Sequence, residues 1–227
     1  MMILFTPDNP DTTIYNYINK WSNDYDQCHL KISLSTHHPK DELYTHINQL
    51  VSFKNPVLQN KLVIHINEQI TDNNIAKLQH LLKDISDTFK ILRFHFSENL
   101  LNILLENEQT SIFHQYNISA SLHHLNIKDH HNHLHYIIYG PVFQSISKKN
   151  YSPKMKFSEM QSQLNYVSEN TEIPIIAIGG ITPDNFQDAL KAGFSGLAIR
   201  GYVWNSHHPE KKFQTLIDKW KTHQNLS

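Results

Sequence analysis

Ile173-Pro174-Ile175-Ile176-Ala177-Ile178-Gly179-Gly180-Ile181-Thr182-Pro183-Asp184-Asn185 is the stretch that decides the fold. Its apolar run Ile175–Ile178, bounded by proline and glycine, has the pattern of a strand covered on both faces, as in parallel sheets flanked by helices. Thr182 offers an N-cap hydroxyl and Pro183 suits a first helical position, so the segment reads as strand, double-glycine turn and a helix from Pro183 to Ala192. Paired glycines let backbone N–H groups approach an anion closely, and the turn reads as a phosphate cradle.

The same alternation extends in both directions. Strand candidates fall at Met2–Phe5, Gln27–Ile32, Leu62–Ile66, Ile91–His95, Asn117–Ser121, Tyr136–Tyr139, Ile175–Ile178 and Gly196–Arg200. Helical spacing separates them over Thr13–Trp21, Lys40–Val51, Asn73–Thr88, Asn99–Glu106, Phe157–Val167 and Pro183–Ala192, and follows the last strand over Glu210–Thr222. Alternation of this kind, repeated around eight strands with short loops, predicts a (β/α)8 TIM barrel rather than an open doubly wound sheet. No linker or low-complexity tract divides residues 1–227, which read as one domain.

Composition narrows the function classes. Twenty Lys and Arg balance 21 Asp and Glu, so neither nucleic acid nor a membrane surface is an expected partner. The apolar start Met1–Phe5 is too short for a signal peptide, and a cytoplasmic location is the default expectation. The single cysteine, Cys28, excludes an intrachain disulfide and reads as a small core residue. Histidine is abundant, at 17 residues; the run Lys128-Asp129-His130-His131-Asn132-His133 reads as a solvated helix end and loop, and the abundance as a compositional habit. All six glycines lie at or beyond Gly140, with Gly193 placed as a helix C-cap.

In such a barrel the chemistry sits at the C-terminal ends of the strands, and the loops after the seventh and eighth commonly bind phosphate. Those positions hold Gly179 and Gly180, then Arg200 and Gly201. The loop after the sixth strand, Gly140-Pro141-Val142-Phe143-Gln144-Ser145-Ile146-Ser147-Lys148, adds two hydroxyls and an ammonium suited to phosphate or pyrophosphate oxygens. Tyr202 and Trp204, beside this mouth, suit the core better than a homo-oligomer interface, although association with a second copy stays open.

On these residues the chain resembles the thiamine phosphate synthase and TenI family of barrels. Pro174 through Gly196 is similar to the family's Pro-x-x-Ala-Ile-Gly-Gly-Ile-x-x-x-Asn…Ala-Gly-x-x-Gly, and Gly140 through Lys148 to its Gly-Pro-Val-Phe-x-Thr-x-Thr-Lys. Ser121-Leu122-His123 is similar to its Ser-x-His. The resemblance implies coupling of hydroxymethylpyrimidine pyrophosphate to a thiazole phosphate, with magnesium stabilising the departing charge. Carried over by position, Ser145, Ser147, Gly179, Gly180 and Gly201 would hold the thiazole phosphate. Lys148 and Ser121 would stand near the pyrophosphate and pyrimidine, and Asn67 would contact the pyrimidine.

The chain departs from the family on the pyrophosphate side. The family's Gln-x-Arg-x-Lys becomes His29-Leu30-Lys31-Ile32-Ser33, leaving His29 and Lys31 as the expected binding residues there. Its Asn-Asp-Arg becomes Asn67-Glu68-Gln69, with Glu68 the candidate Mg2+ ligand, and its His-Leu-Gly-Gln-x-Asp becomes His95-Phe96-Ser97-Glu98-Asn99-Leu100, where Glu98 is the nearest replacement. Two alternatives therefore stand beside the synthase: a TenI-like thiazole tautomerase with His123 as acid and base, and a catalytically reduced binder of phosphorylated ligands.

Overall fold

The computed structural model describes residues 1–8, 10–31, 39–66, 75–127, 129–146 and 152–225. Eight strands, β1 (Met2–Phe5), β2 (Gln27–Leu30), β3 (Leu62–Ile66), β4 (Arg93–Phe96), β5 (Asn117–Leu122), β6 (Tyr136–Tyr139), β7 (Ile175–Ile178) and β8 (Gly196–Ile199), form a closed barrel in sequence order. Every pairing is parallel, and β8 closes onto β1 with Met2 opposite Leu197 and Leu4 opposite Ile199. This is the (β/α)8 fold expected from the alternation.

The helices come from stripes of apolar residues at helical spacing. α1 (Thr12–Lys20) is capped by Asp11, whose carboxylate accepts from Ile14 N at 2.9 Å, a bond worth about 1 kcal/mol. α2 (Pro39–Val51) leads into the short α3 (Pro56–Lys61), which Asn55 caps ahead of a proline at its first turn. α4 (Ile75–Phe89) buries Ile75, Leu78, Leu81, Leu82 and Ile85 along one face. Next come α5 (Glu98–Glu106), capped by Ser97, and α6 (Ser111–Gln115). A 3-10 turn at Asp129–His133 precedes β6, and α7 (Phe157–Asn170) precedes β7. The chain ends with α8 (Phe186–Lys191), α9 (Gly201–Trp204) and α10 (Pro209–Gln224).

The period of two along each strand sorts side chains into two cores. Cys28, Leu30, Ile64, Ile66, Phe94 and Phe96 belong to the large outer core with the helices, and Cys28 is fully buried there, its thiol pushed up to about 12 by burial. Inside the barrel, Ile3, Phe5, Tyr136, Ile138, Ile176 and Ala198 make a second, smaller cluster. The facing arc adds Val63 but is otherwise polar. Its other buried positions are His29, His65, His95 and Ser119.

Most element boundaries fall within three residues of the sequence reading, and two of the shifts have a visible cause. β4 starts at Arg93, not Ile91, because Lys90 adopts φ 59° after α4 and Ile91-Leu92 become the connection. The helix after β7 starts at Phe186, not Pro183. Asn185 folds back instead: its Oδ1 accepts from Thr182 N at 2.8 Å and its Nδ2 donates to Gly180 O at 2.9 Å, so residues 183–185 turn before the helix begins. Trp204 is half-buried against the core, stacked on Trp21 and donating to Phe5 O at 2.6 Å.

Candidate functional site

A cleft of about 330 Å³ opens at the C-terminal ends of the strands. One wall is built by two loops that lock together. Val142 N donates to Ile178 O at 2.9 Å and Phe143 N to Gly179 O at 3.0 Å, which lays the loop after β6 across the turn after β7. A Cβ on Gly179 would stand 2.7 Å from Pro141 Cα, and one on Gly180 would stand 2.4 Å from Gln144 O. Both residues also have positive φ, 95° and 68°. The glycines are thus required by the approach of two backbones, which presents the turn and Ser145 on one wall of the cleft.

Arg200 and Gly201 line the cleft from the end of β8, and Lys31 from the end of β2. Their cations are shared by a residue that the sequence reading passed over: Asp8, in the loop after β1, forms an ion pair with Arg200 and lies 3.8 Å from Lys31 Nζ. A carboxylate beside the cleft thus already engages the two cations that an anion entering it would meet. Asp8→Asn should raise the affinity for inorganic phosphate about twofold to fivefold, the scale of a partly exposed ion pair. Calorimetric titration reads this directly, and unchanged affinity would mean that Asp8 does not compete.

The floor is polar. His65 and His95 line it, while His29 lies one layer below, fully buried. His29 is therefore placed beneath the cleft and not on its surface; its position on β2, opposite Phe5 on β1, turns the ring into the barrel against Phe5, 4.5 Å between centroids. His29 Nδ1 is 2.8 Å from His65 Nε2, and His29 Nε2 is 2.6 Å from the Tyr136 hydroxyl, which donates to Gln27 Oε1. His95 Nδ1 is 2.8 Å from Ser119 Oγ and its Nε2 is 2.8 Å from Ser121 Oγ. Burial, reinforced by neighbouring imidazoles, holds His29 and His65 well below the usual histidine range. Burial first and Lys31 second push His95 down to about 3. All three rings are neutral bases at neutral pH.

Ser121 thus joins the cleft to the buried rings. His123 lines the rim, its Nδ1 3.2 Å from Gly140 O, and its backbone N donates to Glu98 Oε2 at 3.2 Å. His124 Nε2 lies 2.7 Å from Glu98 Oε1, an ion-pair contact without hydrogen-bond alignment. Of the sequence-expected residues, the cleft brings together Lys31, Ser121, His123, Ser145, Gly179, Gly180, Arg200 and Gly201. Ser33, Asn67, Glu68, Ser147 and Lys148 lie outside the described residues.

Magnesium, implied by the resemblance, needs oxygen ligands. Among the described residues lining the cleft, Glu98 is the one carboxylate, and it is held by His123 and His124. Glu98 alone, so engaged, does not make a magnesium site among the described residues. His65, His95 and Tyr136 were not singled out from the sequence as site residues. A signal for the rings existed: Cys28-His29-Leu30, Ile64-His65-Ile66 and Phe94-His95-Phe96 each set a histidine between apolar residues in successive strands.

Fold and mouth together define a (β/α)8 barrel with a cationic, glycine-walled cleft. Residues 107–203 match the family model described as thiamine monophosphate synthase, so the resemblance read from the motifs is shown over that segment. The thiamine-phosphate synthase of Erythrobacter litoralis is 40% identical over 70 residues, 31% of this chain and 32% of that protein. That of Salinibacter ruber is 38% identical over 86 residues, 37% of this chain and 36% of that protein. The chain therefore matches about a third of the length of these relatives. A solved thiamine phosphate pyrophosphorylase from Pyrococcus furiosus superposes with a TM-score of 0.67 at 15% identity, covering 97% of this chain and 95% of its own, a likeness of fold.

Proposed function

We propose that the chain is a thiamine phosphate synthase-type transferase joining hydroxymethylpyrimidine pyrophosphate to hydroxyethylthiazole phosphate. The observation that carries this reading is the position of the matched segment. Residues 107–203 contain Ser121, the interlocked loops around Gly140 and Gly179, and Arg200, which meet on one cleft. Coupling breaks the bond from the pyrimidine methylene carbon to the pyrophosphate oxygen, whose electron pair leaves with pyrophosphate. The thiazole nitrogen lone pair then forms the new C–N bond.

The chain's part is positioning and charge. Arg200, Ser145 and the Gly179-Gly180 turn suit the thiazole phosphate, with Asp8 yielding its place to that anion. Lys31 faces the same anionic space from β2 and, with Lys148 assigned by the motif, balances charge on the leaving pyrophosphate. Ser121, hydrogen-bonded to His95, orients the pyrimidine from the floor.

The test mixes the full chain with both substrates, with and without Mg2+, and follows thiamine phosphate by chromatography. Product is expected, falling at least about a hundredfold in Lys148→Ala. Absence of product under both conditions would overturn the synthase reading. The single carboxylate among the described cleft residues and the rim imidazole of His123 favour a second reading, a thiazole tautomerase. Binding of thiazole phosphate with isomerisation but no coupling would select it; binding without either reaction would leave a phosphate-ligand binder.

A further inference from the structure

We propose that His29, His65 and His95 form a binding site for one divalent transition-metal ion of the Zn2+ class at the floor of the cleft. One nitrogen from each ring lies within 4.8 Å of the others, and all three residues are buried. Around a tetrahedral ion with Zn–N bonds of about 2.0–2.1 Å, ligand nitrogens stand about 3.3 Å apart. The 2.8 Å between His29 Nδ1 and His65 Nε2 and the 4.8 Å upper limit bracket that spacing. Small rotations of the rings would complete the geometry.

The surrounding hydrogen bonds prepare the ligand atoms. The Tyr136 hydroxyl donates to Gln27, so its oxygen accepts from His29 Nε2–H and leaves the His29 Nδ1 lone pair aimed at the cluster. Ser119 donates to Phe94 O at 3.4 Å and accepts from His95 Nδ1–H, which leaves His95 Nε2 as the ligand atom. Ser121 now donates to that nitrogen and would turn away to the cleft. His65 supplies Nε2 when its proton moves to Nδ1. Partners on the far nitrogen of a ligating histidine are what tune and hold metal sites.

Donor chemistry selects the ion. Three neutral imidazoles suit Zn2+, Co2+ or Ni2+, and offer nothing to Mg2+. The charged groups facing the cluster are Lys31 and Arg200, both engaged by Asp8. His65 and His95 also line the cleft, so a fourth coordination position would open there for water or a ligand atom. Ser121 takes part in both sites, but metal binding is read without the coupling reaction and so stands or falls separately.

Calorimetric titration of the metal-free full chain with Zn2+, and separately with Co2+ followed by visible absorption, tests the proposal. One tight equivalent and a four-coordinate Co2+ spectrum are expected. His65→Gln and His95→Gln should each weaken binding at least about a hundredfold, whereas His133→Gln should not. Equal affinity in all variants, or no tight equivalent, would overturn it. If the variants fail to fold, imidazole nitrogen NMR of the wild-type chain decides: Zn2+ must shift these three rings among the 17 histidines. Shifts confined to other rings would reject the site.

Discussion

Gly180→Ala is expected to destabilise the protein by about 3–5 kcal/mol and to deform the cleft at the same time. The backbone alone accounts for part, since an alanine held at φ 68° costs about 1–2 kcal/mol. The larger part is overlap. The new methyl would meet Gln144 O at 2.4 Å, Phe143 Cβ at 2.7 Å and Phe143 C at 2.9 Å; two of these are main-chain atoms that no rotamer change can move. Relief requires lifting the loop after β6 off the turn after β7, which displaces Ser145. Urea unfolding checks the stability, and phosphate titration checks the cleft. Gly193→Ala is a control with its own unfavourable φ of 108°, but there the nearest atom, Leu164 Cβ, is 3.4 Å away. Equal losses in the two variants would mean that conformation, and not the clasp between loops, sets the requirement.

Acid should unfold the metal-free chain abruptly. Each interior imidazole has a folded pKa below its unfolded value of about 6.5. Below that pH the unfolded chain binds protons that the folded chain refuses, so stability falls with falling pH; above it the contribution is fully present. Each ring contributes a slope of about 1.4 kcal/mol per pH unit, and the three together about 4 kcal/mol per pH unit, until the folded values are reached. For His95 that limit is about 3. With a total stability of about 5–15 kcal/mol, this loss should bring the acid midpoint below about pH 6. Urea unfolding as a function of pH measures the slope. His29→Gln should remove about a third of it; the same slope in that variant would reject the assignment.

The barrel was legible because buried parallel strands are short apolar runs between turn residues, and β1, β3, β6 and β7 fall where the pattern places them. β4 slipped because a lysine, not a glycine, takes the left-handed turn at Lys90. The helix after β7 slipped because Asn185 satisfies the turn that Thr182 was expected to cap alone. The mouth was legible wherever the lining of the cleft sits in contiguous loops, as at Gly140–Ser145, Gly179-Gly180 and Arg200-Gly201. Its floor was not. His29, His65 and His95 stand 36 and 30 positions apart in sequence, and only the barrel register sets His65 beside His95. Reading histidines for density along the chain points to the run at His130, His131 and His133. Reading them by phase within successive strands finds the cluster that converges.

The seam between β8 and β1 gives this molecule a temporal order. During synthesis β1 emerges long before its partner, so the Met2–Leu197 and Leu4–Ile199 pairings wait for nearly the whole barrel to be made. Such distant closures are slow, because a long loop must be fixed before its contacts repay the ordering. Arg200 follows β8 directly and Asp8 follows β1, so their ion pair spans the seam. The side of the cleft that Arg200 builds therefore forms only once β8 has closed onto β1. Any ligand that must touch both sides of that seam would find its site only on chains that have finished closing.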